Sequence, residues 1–192
     1  MLTGDILAGN ARRFPARTAW NFEGESWTWR QANQRVNRLA NALIARGLAP
    51  GERVAFLAEN SHRLAEIYFA LTKAGLVAVP VNARSVAREI DYVLKDVEAR
   101  ALFVSSALAS RLKGIATDLA PYAAVIGLGA GHRQPCDYET LLMDASTAEP
   151  SVEVPGSAIR AIKYTSGTTG VPKGVISTHH QYLLSTLNYL LH

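Results

Sequence analysis

Residues 53–81 read RVAFLAENSHRLAEIYFALTKAGLVAVPV. Arg53–Leu57 is a short apolar run of strand length. Ser61 stands where its hydroxyl can cap a helix, that helix runs on to Ala74, and Gly75 is placed to close it before a second apolar run over 76–81. A helix between two short apolar strands returns the chain so that the strands lie parallel and the helix covers the sheet.

The same rhythm continues in both directions. Downstream, Ser85 can cap a third helix carrying Ile90, Val93 and Leu94, followed by a strand over 101–104, a helix over about 107–119 and a strand over 123–127. Upstream, Ala32, Val36, Leu39, Ala40, Leu43 and Ile44 recur at the helical period. Thr28 and Gln31 have capping-box spacing at the start of that helix, and Gly47 stands at its end. Before it, residues 20–22 and 26–29 flank Glu23, Gly24 and Glu25 as a small hairpin, preceded by a short helix and a turn that ends at Pro15. The expected fold class is α/β, a mainly parallel sheet with helices on both faces. The expected organisation is one domain: hairpin and βαβ units over 1–128, a loop-rich connection over 129–156 with one short helix near Tyr138–Met143, and a strand, loop and helix over 157–192.

Composition excludes several classes. With 192 residues, 48% apolar and 19% charged, the chain can bury a core without disulfide or metal, and it lies far from the composition of disordered chains. The net charge of +4 is dispersed, Arg12 and Arg13 being the tightest basic pair, so no nucleic-acid partner is expected. The single cysteine, Cys136, has no internal partner and reads as a small packed side chain in a reducing compartment. No signal-peptide pattern and no apolar run near the roughly 20 residues of a bilayer span is visible, so a cytoplasmic chain without a transmembrane segment is expected.

Two motif readings fail. Gly127, Gly129 and Gly131 follow a strand, but the third glycine of a dinucleotide-binding turn would fall on His132. The five histidines show no metal-ligand spacing, and His62 and His132 read as surface residues.

Chemistry concentrates after Ile159–Thr165, a strand-like run followed by Ser166, Gly167, Thr168, Thr169, Gly170, Val171, Pro172, Lys173 and Gly174. Glycines with little steric restriction and several hydroxyls can aim backbone N–H groups at one point, and such concave donor sets bind oxyanions; Lys173 adds a full positive charge. The segment is not a Walker A loop, because Pro172 stands where its second glycine belongs and Gly174 follows the lysine in place of Ser or Thr. On composition alone, a plain hairpin turn with a solvated Lys173 also fits.

From Tyr164 to Val175 the sequence YTSGTTGVPKGV resembles the signature phosphate loop of the adenylate-forming superfamily, which includes acyl-CoA synthetases, nonribosomal adenylation domains and luciferases. Phe14-Pro15, Trp27-Thr28-Trp29, Gly51-Glu52-Arg53-Val54-Ala55, Ala74-Gly75 and Val79-Pro80-Val81-Asn82-Ala83-Arg84 are similar to acyl-CoA synthetases in order and spacing. The resemblance implies activation of a carboxylic acid, expected to be a fatty acid, as acyl-AMP at the expense of ATP, followed by transfer to coenzyme A. It implies that Thr165, Ser166, Gly167, Thr168, Thr169 and Gly170 hold the β- and γ-phosphates and that Lys173 neutralises part of their charge. His179 has two readings, a contact near the acyl pocket or a polar residue in the first turn of the next helix.

The family's adenine, ribose and Mg2+ sites, its hinge and its catalytic lysine all lie downstream of the phosphate loop, so no catalytic residue and no metal ligand is expected here. The chain is expected to be the N-terminal piece of a longer enzyme, inactive alone. Thr178 and Gln181 repeat the capping-box spacing, and Leu183, Leu184, Leu187, Leu190 and Leu191 form an apolar stripe through which self-association is expected. The alternatives are a nonribosomal-type adenylation domain that loads a carrier protein and a non-catalytic nucleotide-binding module.

Overall fold

The computed structural model describes residues 3–165 and 172–191. Helix α1 (Thr3–Arg13) leads into a hairpin of β1 (Thr18–Phe22) and β2 (Glu25–Thr28), then α2 (Trp29–Ala45). Next come β3 (Arg53–Leu57), α3 (His62–Lys73), β4 (Val77–Pro80), α4 (Ala87–Asp96), β5 (Ala101–Ser105), a 3-10 segment Ser106–Leu112, and β6 (Ala124–Leu128). The chain continues through β7 (Cys136–Asp137), α5 (Tyr138–Met143), β8 (Ile159–Thr165), β9 (Lys173–Thr178) and α6 (His179–Leu191).

Seven strands form one sheet in the order β7-β6-β5-β3-β4-β8-β9. All pairings are parallel except β8 with β9, which is antiparallel. Alternation along the strands separates two cores. Val54, Phe56, Ala101, Phe103 and Ile126 face α1, α2, α3 and α5, whereas Ala55, Leu57, Leu102 and Val104 face α4 and the 3-10 segment. The α/β fold with helices on both faces is as expected.

The capping box of α2 is formed: the Gln31 N–H donates to Thr28 Oγ1 at 3.3 Å, and the Thr28 N–H to Gln31 Oε1 at 2.9 Å. The box of α6 is formed in the same way, at 3.2 and 2.9 Å between Gln181 and Thr178. Ser61 accepts from the Leu64 N–H at 3.3 Å.

Three local expectations are corrected. Helix α4 does not start on Ser85, whose N–H donates to the Asn82 carbonyl in the preceding turn; the N-cap is Val86, whose N–H goes to the Glu89 carboxylate at 3.1 Å. The helix expected over 107–119 shrinks to Ser106–Leu112, because Gly114 turns the backbone to φ +86 and Asp91 captures the N–H groups of Ala116 and Thr117 at 3.0 and 2.6 Å. Lys95 and the Thr117 hydroxyl hold the Asp91 carboxyl down to about 2. His62 is buried, and its ring lies 4.1 Å from that of Trp27.

The connection over 129–156 is pinned to α2 and α3 by polar side chains. Asn37 donates to the Thr147 carbonyl, Asn41 to those of Ser146 and Ala148, and Lys73 pairs with Glu149 at 2.6 Å. Beneath it, Arg35 pairs with the fully buried Glu66 at 2.6 Å, and the Tyr138 hydroxyl donates to the same carboxylate at 2.7 Å. Burial pushes Glu66 above the ordinary carboxylate range against the opposing pull of Arg35.

Candidate active site

In an open parallel sheet, ligands meet the carboxyl ends of the strands, where loops and helix N-termini converge. Strand β8 lies parallel to β4 through Ala78 and Ala161, so Thr165 marks its carboxyl end. Strand β9 returns antiparallel and places Lys173 directly opposite Thr165. Both side chains are exposed at that end of the sheet. The chain between them carries Ser166, Gly167, Thr168, Thr169 and Gly170, which lie outside the described residues. Thr165 and Pro172 line a cleft of about 110 Å³ whose other wall includes Asn82 and Ser85 from the turn before α4 and Glu89 from its first turn.

Neighbouring residues hold the end of β8 in place. Tyr164 donates its hydroxyl to the Asp96 carboxylate of α4, and its ring meets that of Tyr92 nearly perpendicularly at 6.3 Å. Burial, then the Asp96 charge, pushes the Tyr164 hydroxyl pKa upward, so it remains a donor. Gly174 lies opposite Tyr164 in the register, and a Cβ there would stand 2.9 Å from Ile162 Cγ2 and 3.3 Å from the Tyr164 ring. This glycine therefore serves the cross-strand contact that fixes the base of the loop. Neither the Tyr164 anchor nor this role of Gly174 is legible from residue type alone, since the first depends on Asp96 of α4, 68 residues upstream, and the second on the register between β8 and β9.

His179 lies at the other end of the hairpin, where Thr178 faces Ile159. It is the first residue of α6, is fully buried, and neither ring nitrogen has a hydrogen-bond partner among the described residues. Burial, with Arg160 and His180 nearby, lowers its pKa. The structure brings Thr165 and Lys173 together and does not bring His179 to them.

The donor set at the loop stems, a hydroxyl and an ammonium at a sheet end, suits phosphate oxygens. Among the described residues no group of three His, Cys, Asp or Glu side chains could hold a metal ion, so no magnesium ligand is assigned. No helix among them is long and apolar enough to cross a membrane.

Residues 7–191 match the family described as AMP-binding enzyme. The chain belongs to the AMP-binding enzyme family.

Among curated relatives, the chain is 35% identical over 173 residues to the fatty acid--[acyl-carrier-protein] ligase ScoC of Streptomyces coeruleorubidus, covering 90% of this chain and 32% of that protein. It is 37% identical over 153 residues to the long-chain-fatty-acid--CoA ligase FadD13 of Mycobacterium tuberculosis, covering 79% of this chain and 29% of that protein. Among solved structures, the anthranilate CoA ligase AuaEII in complex with anthranoyl-AMP superposes with a TM-score of 0.91 at 27% identity, over 97% of this chain and 36% of that one. The chain thus spans about a third of the length of the curated AMP-binding relatives it matches.

Proposed function

We propose that this chain supplies the triphosphate-holding part of an enzyme that activates a carboxylic acid, of the fatty-acid class, as acyl-AMP and passes it to coenzyme A. The observation that carries this reading is the pairing of Thr165 with Lys173 at the carboxyl end of a parallel sheet, on either side of a glycine- and hydroxyl-rich loop. An oxygen of the acid attacks the α-phosphorus of ATP, the bond from that phosphorus to the bridging oxygen breaks, and pyrophosphate leaves with the electron pair. The thiol then adds to the acyl carbonyl and AMP departs, giving the thioester. Thr165, Ser166, Gly167, Thr168, Thr169 and Gly170 donate to the β- and γ-phosphates, and Lys173 offsets the charge that grows on pyrophosphate, a gain that is electrostatic and positional.

The fatty-acid class is supported by the names of ScoC and FadD13, which also carry the two acceptor classes, a carrier protein and coenzyme A. The chain acts in the cytoplasm as a single AMP-binding unit, with 1–128, 129–156 and 157–192 as its three segments, and does not turn over alone. His179 serves the interior of the fold, and an acyl-pocket role for it would require His179→Ala to change which acids are bound.

Calorimetry on the 192-residue chain tests the reading. ATP should give a measurable heat, and Lys173→Ala, at an exposed position, should weaken it at least about tenfold by removing a charge-assisted phosphate contact. No heat with a folded parent, or equal heats from parent and variant, would overturn the assignment. Detection of acyl-adenylate made by this chain alone would overturn the claim that it lacks turnover.

A further inference from the structure

Arg160 departs from the pattern of its own strand. Ile162 and Tyr164 of β8 pack on the α4 face, so strict alternation would send Arg160 there too. The pairing with β9 carries an extra residue at this point: Ile159 faces Thr178 and Ala161 faces Ser177, with Arg160 between. A bulge of this kind re-aims a side chain. Arg160 turns to the α3 face, where its guanidinium carbon lies 3.7 Å from the ring centre of Tyr182 and 5.9 Å from that of Tyr68.

Arg160 as a whole residue is 6% exposed, and its buried Nε has no hydrogen-bond partner among the described residues. Burial draws its pKa down, yet a guanidinium stays charged under ordinary conditions, so a largely buried cation has no counter-charge among the described residues. It opens into a cavity of about 260 Å³ between α1, α3, β8 and α6, walled by Ala65, Tyr68, Phe69 and Tyr182, with Lys163 at the rim. Thr3 lines the same cavity and contributes a second buried polar atom, its Oγ1, that has no hydrogen-bond partner among the described residues.

We infer that this cavity is a binding site for an aromatic monocarboxylate, whose carboxylate accepts from the Arg160 fork while its ring lies among Tyr68, Phe69 and Tyr182. A planar carboxylate matches the donor geometry of a guanidinium edge, and a ring gains from aromatic walls. Phosphate fits less well, since much of the wall around the Arg160 fork is ring face and apolar side chain. The site is separate from the proposed adenylation loop, because Thr165 is five residues along β8, on the order of 15 Å away. It stands whether or not the loop binds ATP.

Benzoate titrated into the 192-residue chain by calorimetry, without ATP, is the test. Binding at one site is expected, at least about tenfold weaker in Arg160→Leu and several-fold weaker in Tyr182→Leu. Acetate, which has the carboxylate without the ring, and inorganic phosphate should each bind at least about tenfold more weakly than benzoate. Arg160→Leu removes an uncompensated buried charge, so it should melt no lower than the parent and give an unchanged heat with ATP. Saturating benzoate should raise the melting temperature of the parent and not of this variant. No benzoate binding by the folded parent, equal binding by Arg160→Leu, or phosphate binding that matches benzoate would overturn the proposal.

Discussion

His62 has a polar side chain wedged against Trp27 and Phe22 of the hairpin, with its Nδ1 buried and without a hydrogen-bond partner among the described residues. Burial, then the charges of Arg63 and Arg35, pull its pKa from 6.5 to about 4 against the opposing pull of Glu139. The unfolded chain takes up a proton near pH 6.5, while the folded chain does not until about pH 4. Stability is therefore full above pH 6.5 and falls as pH drops towards 4, by on the order of 3 kcal/mol. Denaturant unfolding at pH 7 and pH 4 should show this fall in the parent, and His62→Phe, which keeps a ring against Trp27, should remove most of it. An acid limb unchanged in His62→Phe would place the titration elsewhere. From the sequence His62 reads as a surface residue, because what buries it is the hairpin, some 35 residues upstream, and no local pattern reports that approach.

At the scale of elements, features carried by neighbours in sequence are legible and features made by distant partners are not. Both capping boxes, the span of Arg53–Leu57 and that of Ile159–Thr165 follow from spacing and runs of apolar residues, since the forces that set them act within one or two turns. A 3-10 segment replaces the expected helix because Asp91, 25 residues before Ala116, takes the N–H groups of Ala116 and Thr117 that the helix would have used. Strand β7 is two residues long, too short for any periodicity to reveal. In the candidate site, the strand end at Thr165 is legible from the run before it, whereas the placement of Lys173 opposite it, like the bulge at Arg160 farther back on β8, exists only in the pairing with β9. Gly75, which ends α3, combines both kinds of constraint. Its φ is +69, a left-handed value, and a Cβ would stand 2.9 Å from Val154 Cγ2 and 3.2 Å from Pro50 Cβ. Gly75→Ala should lower stability by at least about 1–2 kcal/mol from backbone conformation alone, with the packing clash adding to it. Urea unfolding measures this, and a variant as stable as the parent would mean that the connection carrying Val154 yields freely.

Across the whole molecule, the two edges of the sheet are unequal. One ends in the two-residue β7, too short to template another chain, and the other in β9, whose Val175 and Ile176 are 55% and 54% exposed. Next to β9, α6 exposes Leu184 and Leu187 at 66% and 52%. An apolar edge strand beside an apolar helix face favours association between chains, and a net charge of +4 opposes it only weakly at physiological salt. Light scattering on the 192-residue chain should therefore show a mean mass that rises with concentration, and Leu184→Lys with Leu187→Lys should return it towards the monomer without lowering the melting temperature, since both positions are exposed. The driving force is separable from charge pairing. Hydrophobic association strengthens with sulfate and weakens on cooling, whereas attraction between opposite charges weakens with any added salt. A monomer at all concentrations, or a mass that falls when sulfate is added, would rule out the apolar edge as the cause.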